Sequence, residues 1–223
     1  LVLKVVSEIH DPVTTTNELI PSGETSSFRS NPLGLAEFAL SRKDPEYVGR
    51  AKAIQKAQKA VEADECPGKA FEEVAPVMQA IKAAFPEKDF HDGRLGDNIG
   101  FGSTIFAVKP GDGSAREQAA SCQKVLGGWA NIANEYATKR YRSNLINWGM
   151  LPFIIDEGEL PFRNLDYLFL PDIRKAIADG ATEFTAYVVK EGKLEPFTLK
   201  MGALTPDVQE IILKGCLINY YRG

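Results

Sequence analysis

Histidine and cysteine are scarce in this 223-residue chain: His10 and His91 are its histidines, and Cys66, Cys122 and Cys216 its cysteines. Two distant histidines exclude a histidine-rich metal site. Three widely separated cysteines offer neither an even-numbered disulfide framework nor a closely spaced metal-binding pair. An iron–sulfur site wants such a pair plus a third cysteine, so these three read as ordinary buried or surface residues. A surplus of positive charge is also missing, since 26 Lys and Arg against 30 Asp and Glu leave −4. No basic face and no nucleic-acid partner are expected. Apolar runs such as Gly149 to Ile155 fall far below the roughly 20 residues of a membrane-spanning helix. The expectation is a soluble protein of the reducing cytoplasm, without membrane or nucleic acid among its partners.

What is present suits a globular domain: 44% of residues are hydrophobic and 25% charged, enough for one sizeable core with or without an embellishing subdomain. Leu1 to Ile9 alternates and is β-rich, so it reads as a strand. It carries no initiator methionine and no basic segment ahead of an apolar stretch, so it is not a signal peptide; the expectation is a piece of a longer chain. Asp11 to Ser27 is dense in turn and capping residues and reads as a long polar loop. From Pro32 to about Ile81 the pattern is helical, with a last helix over Phe71 to Phe85. This predicts a helical insertion around residues 32–90 within a domain spanning 1–223.

Ser103 to Val108 is a β-branched apolar run, ended by the turn Lys109 to Ser114; Ala115 to Val125 is helical, and Trp129 to Ala133 suggests the next strand. Strand, turn, helix and strand in that order indicate a parallel α/β unit. Arg142 to Trp148 reads as a helix and Leu151 to Ile155 as a strand. Thr182 to Lys190 and Lys193 to Lys200 form a hairpin through Glu191-Gly192. A last helix, Thr205 to Gly215, opens on a threonine cap and Pro206.

The stretch with most chemical content is Gly111-Asp-Gly-Ser-Ala-Arg-Glu117. A serine flanked by glycines at a strand-to-helix turn has its hydroxyl exposed beside unpaired backbone amides, a place that favours anions. Helix-terminal N–H groups and a nearby guanidinium both favour the alkoxide over the alcohol, so Ser114 can act as a base. Arg116 would present a planar fork of donors to a carboxylate. The plainer reading makes Ser114 a helix N-cap, with Glu117 completing a capping box. Gly96 to Gly102 resembles a phosphate loop only superficially, because no Lys-Ser/Thr pair follows and the dinucleotide spacing fails. The Ala/Lys-rich stretch Arg50 to Ala63 reads as a solvated helix face, and Tyr220 to Arg222 as packing.

Four ordered motifs then carry a resemblance. Gly113-Ser-Ala-Arg-Glu117, Leu126-Gly-Gly128, Ser143-Asn-Leu145 and Gly149-Met-Leu-Pro152 resemble, in order and spacing, the GSSRE, LGG, TNL or SNL, and GLLP segments of the aconitase family. Thr15 to Arg29 is similar to the family's stretch that opens with TTDH and closes with an FR pair, and Leu204 to Gly215 to its closing helix. The resemblance implies an α/β fold, the swivelling β/β/α domain of aconitase type. In the family this domain closes over a [4Fe–4S] cluster bound by domains outside this chain, and the substrate is a small carboxylate. It implies Ser114 as the base, Arg116 and Arg29 as carboxylate clamps, and Thr16, Asn17 and Ala115 at neighbouring substrate-contact positions. No metal ligand is expected from this chain.

The chain departs from the family at Ala115, where the motif has its second serine, at Asn17 and Glu18, where it has aspartate and histidine, and at Ile20, where it has serine. Lost polar contacts change substrate choice more than reaction type. A hydroxy di- or tricarboxylate related to citrate or isocitrate is the expected substrate of an aconitate hydratase-like lyase. Two rivals stand beside it: a free-standing small subunit like that of isopropylmalate isomerase, and a non-catalytic carboxylate-binding module.

Overall fold

The computed structural model describes residues 1–21, 23, 25–28, 30–88 and 99–223. Arg29, His91, the end of the expected insertion and the first part of Gly96 to Gly102 lie outside the described residues.

Strands β1 (Val2–Ile9), β3 (Phe101–Ala107), β5 (Gly128–Ala133) and β6 (Leu151–Ile154) run parallel in that spatial order. β1 and β3 are buried nearly throughout, as strands covered on both faces are; β3 accordingly reads as an apolar run, whereas the alternation read in β1 does not mark an exposed face, since Lys4 and Ser7 are buried too. Three antiparallel strands, β9 (Lys193–Lys200), β8 (Glu183–Lys190) and β7 (Tyr167–Phe169), close the sheet back onto β1, giving a barrel ordered β1-β3-β5-β6-β9-β8-β7. Glu191 and Gly192, both at positive φ (50° and 75°), make the tight β8–β9 turn, whose twist matches that of the strands it joins.

One apolar core takes residues from all seven strands, among them Leu3, Phe106, Ile132, Phe153, Leu168, Phe184 and Leu199. It is sealed by α8 (Ile173–Ala178) and α9 (Pro206–Leu213) through Ile177, Ile211 and Ile212. A second core lies under α6 (Arg116–Val125) and α7 (Lys139–Asn147) and includes Val6, Ile105, Leu126 and Leu145. Between β2 (Thr14–Thr15) and β3 come α2 (Pro32–Ala36), α3 (Tyr47–Glu62), α4 (Pro67–Ala70) and α5 (Val74–Ala84). Ile54 of α3 and Val77 and Ile81 of α5 pack on Val2, Phe101 and Phe169 in a third core. Among the described residues, no helix is long and apolar enough to cross a membrane.

The structure differs from the sequence reading in several places. The expected polar loop after β1 holds β2 and a helical turn, α1 (Thr16–Leu19). Its start is fixed by a capping box in which Glu18 N donates to Thr15 Oγ1 at 3.2 Å and Thr15 N donates to Glu18 Oε2 at 2.7 Å. The turn after β3 contains a short strand, β4 (Pro110–Asp112), paired in parallel with β2. α7 starts three residues before its expected beginning, because Thr138 Oγ1 accepts from Tyr141 N at 3.1 Å. β7, α8 and the last helix, α10 (Leu217–Arg222), had no clear periodicity and were not expected.

Candidate active site

Parallel strands carry their ligands beyond their carboxyl ends, and here the β2–β4 pairing ties together the loops that leave β1 and β3 at that end. Two glycines shape the second loop. Gly111 has φ +99°, and a Cβ there would stand 2.3 Å from the Tyr141 ring. Gly113 has φ +119°, and its Cβ would stand 2.3 Å from Thr16 Oγ1. Only glycine meets both demands, positive φ and close approach. Ser114, held between this turn and α6, is exposed.

Ser114 is not the N-cap of α6. That position is Ala115, with no side-chain cap bond, and Glu117 instead accepts from Trp148 Nε1 at 3.2 Å. The capping-box reading is therefore wrong, since the positive φ at Gly113 turns the chain before the helix begins. The Ser114 hydroxyl has no hydrogen-bond partner among the described residues.

Ser114, Arg116, Glu117, Arg140, Ser143 and Asn144 line an open hollow of about 270 Å³ between α6 and α7. The Arg116 Nε is buried and has no hydrogen-bond partner among the described residues. Arg140 has no carboxylate partner among the described residues either.

The walls of the hollow are fixed from behind by a buried polar network. Tyr141 of α7 donates to Asn131 Oδ1 of β5 at 2.5 Å, Gln123 Nε2 of α6 donates to the Tyr141 hydroxyl at 2.9 Å, and Asn131 Nδ2 donates to Gln123 Oε1 at 2.7 Å. A satisfied network of this kind fixes the position of its members. Burial raises the Tyr141 phenol well above its ordinary range, so it stays a neutral donor. Thr138 completes the frame by donating to Gly111 O at 3.1 Å, which ties the start of α7 to the glycine turn.

The other expected site residues fall as follows. Thr16 is buried beneath Gly113 rather than lining the hollow. Asn17 is exposed on α1, and Ala115 is half-buried against the second core. Arg140 was not expected to contribute, and Ser143 and Asn144 entered only as letters of a motif. Arg140 did leave a signal, since Lys139 and Arg140 stand in the first turn of a threonine-capped helix, where the helix dipole disfavours cations. Among the described residues no three His, Cys, Asp or Glu side chains are grouped to hold a metal. Burial and then the Glu117 charge push the Cys122 thiol up to about 12.

The fold and hollow thus define a closed α/β domain that presents an unpaired serine and two arginines at the carboxyl ends of its parallel strands. Residues 101–158 match the family model described as the aconitase C-terminal domain. All four motifs quoted above lie in that segment, which is 58 of the 223 residues and is similar to that domain. The crystal structure of 3-isopropylmalate dehydratase from Methanocaldococcus jannaschii is similar over 100% of this chain and 94% of that one, with a TM-score of 0.56 and 20% identity. At that identity the likeness bears on the fold alone, a mixed α/β domain with a closed sheet, and the α/β class is the one expected from the sequence. No curated protein matches the chain.

Proposed function

We propose that the hollow between α6 and α7 is the carboxylate-binding side of an active site, and that the chain is the C-terminal domain of a hydro-lyase or isomerase. Its substrate is a hydroxy di- or tricarboxylate, handled as an aconitate hydratase handles its own, and its location is cytoplasmic. Ser114 takes the proton from the carbon next to a carboxylate. Arg116, with Arg29, holds that carboxylate and the charge that builds on it. The observation that carries this reading is that, among the described residues, the exposed Ser114 hydroxyl and the buried Nε of the neighbouring Arg116 have no hydrogen-bond partner. The described residues do not fit an iron–sulfur cluster; in this reading the [4Fe–4S] group is held by cluster-binding domains outside the chain, and the domain alone is inactive.

The test is Ser114→Ala in the full-length enzyme. Turnover of hydroxy acids should fall by about 10²–10⁴-fold, with KM changed little. A variant with the wild-type rate would end the assignment.

A second reading is supported by the overlap with nearly the whole of a 3-isopropylmalate dehydratase chain. There the domain is a separate small subunit that assembles with a large one. The mass of the native chain distinguishes the two.

A further inference from the structure

Four features of the hollow point beyond a single serine and a single clamp. It takes one guanidinium from α6 and another from α7. Its single lining carboxylate, Glu117, accepts from Trp148 Nε1 at 3.2 Å and forms no ion pair with either arginine among the described residues. The buried Arg116 Nε lacks a partner among the described residues. Finally, α7 opens on Lys139 and Arg140 with no acidic residue in its first turn. Cations at that end of a helix are locally unfavourable, and sequences break such rules where a site requires it. The neighbouring arginine behaves differently: a Cβ at Gly202 would stand 3.4 Å from Arg142 Nη2, so Arg142 reaches to the loop after β9 instead.

We propose that Arg140 is a second, specificity-determining carboxylate-binding residue of this hollow, so that its ligand carries two acidic groups, one facing Arg116 on α6 and one facing Arg140 on α7. The physical reason is charge balance in an open hollow, where Arg140 is exposed and Arg116 half-buried. With one carboxylate bound, the lining still holds an uncompensated guanidinium. A second carboxylate neutralises it through charge-assisted hydrogen bonds, which are stronger than neutral ones. At about 270 Å³ the space suits a small diacid rather than a large cofactor. Tyr141, which accepts from Gln123 Nε2 and donates to Asn131 Oδ1, anchors α7 against α6, so the two helices that carry these arginines are held together.

The inference rests on reading the hollow as a substrate site, but its test does not need turnover. Calorimetric titration of the full-length protein with malate and with 2-hydroxybutyrate compares two hydroxy acids that differ by one carboxylate. The wild type should prefer malate. Arg140→Gln should weaken malate by on the order of ten- to a hundred-fold while leaving 2-hydroxybutyrate unchanged, and Arg140→Lys should recover part of the loss. Malate affinity untouched by Arg140→Gln, an equal loss for both acids, or no binding of either acid to the wild type at millimolar concentration would overturn it. Failure of the serine-base reading looks different, because Ser114→Ala would then keep its turnover while the selective loss in Arg140→Gln persisted.

Discussion

Two hollows in this domain differ in a way that size alone would misrank. The larger, about 570 Å³, is walled by Trp129, Leu151, Ile177, Ile212 and Leu213. The charged groups around it are already engaged: Lys88 Nζ meets the Asp172 carboxylate at 2.9 Å, Arg174 Nη2 donates to Leu213 O at 3.0 Å, and Lys175 pairs with Asp179 at 2.9 Å. In the smaller hollow between α6 and α7, two arginines and a serine have no such partners among the described residues. Buried or half-buried polar groups are ordinarily satisfied. Unspent hydrogen-bonding capacity is therefore the better pointer to a ligand, and it belongs to the smaller space.

The largest expected effect comes from closing that space. Gly111→Ala combines a positive φ with a Cβ inside the Tyr141 ring, and should cost about 3 kcal/mol or more in thermal unfolding. Carboxylate binding should be lost with it. An unchanged melting temperature would show that the glycine turn does not set the frame. Next comes Tyr141→Phe, which removes the hydroxyl linking α6, α7 and β5 and leaves the Asn131 carbonyl oxygen short of a donor. A loss of about 1–3 kcal/mol is expected in urea titrations, together with weaker binding, because the two arginine-bearing helices lose their common anchor.

A smaller effect sits at the far end of α6, where Lys124 lies over the Trp129 ring at 3.9 Å. Burial lowers its amine to about 8, with the Cys216 charge opposing. The unfolded chain keeps that proton up to the ordinary lysine range, so it binds more protons above pH 8 and stability should rise with pH there. Lys124→Met should abolish the rise between about pH 8 and 9.5. It should also be more stable near neutrality, by about 1 kcal/mol, since the Trp129 face returns part of the desolvation cost. A rise as steep as in the wild type would refute the assignment. Smallest is Asp172→Asn beside the larger hollow, where an exposed pair contributes at most about 1 kcal/mol. This variant should leave carboxylate binding intact, and impaired binding would blur the contrast between the two spaces.

Much of this arrangement was written locally. The β-rich alternation of β1, the apolar run of β3, the Thr205-Pro206 helix start and the Glu191-Gly192 hairpin each depend on neighbours a few residues away, and each was legible. So was the glycine-flanked Ser114 next to Arg116, because a turn that only glycine permits leaves a mark in the chain. Less legible was the Thr15–Glu18 capping box, present as letters but lost among other turn residues. The short strand β7 gave no period to count.

The sequence by itself determined the parallel α/β unit, the motifs of residues 113–152 and the position of the candidate base, since propensity, capping and turn geometry act over a few residues. Only the tertiary structure decided that Arg140 shares a hollow with Arg116, that Thr16 is covered by Gly113, and that Ser114 is released from capping to face solvent. These facts depend on the β2–β4 pairing and the Gln123–Asn131–Tyr141 network, contacts between segments far apart in the chain, whose partners no local pattern names.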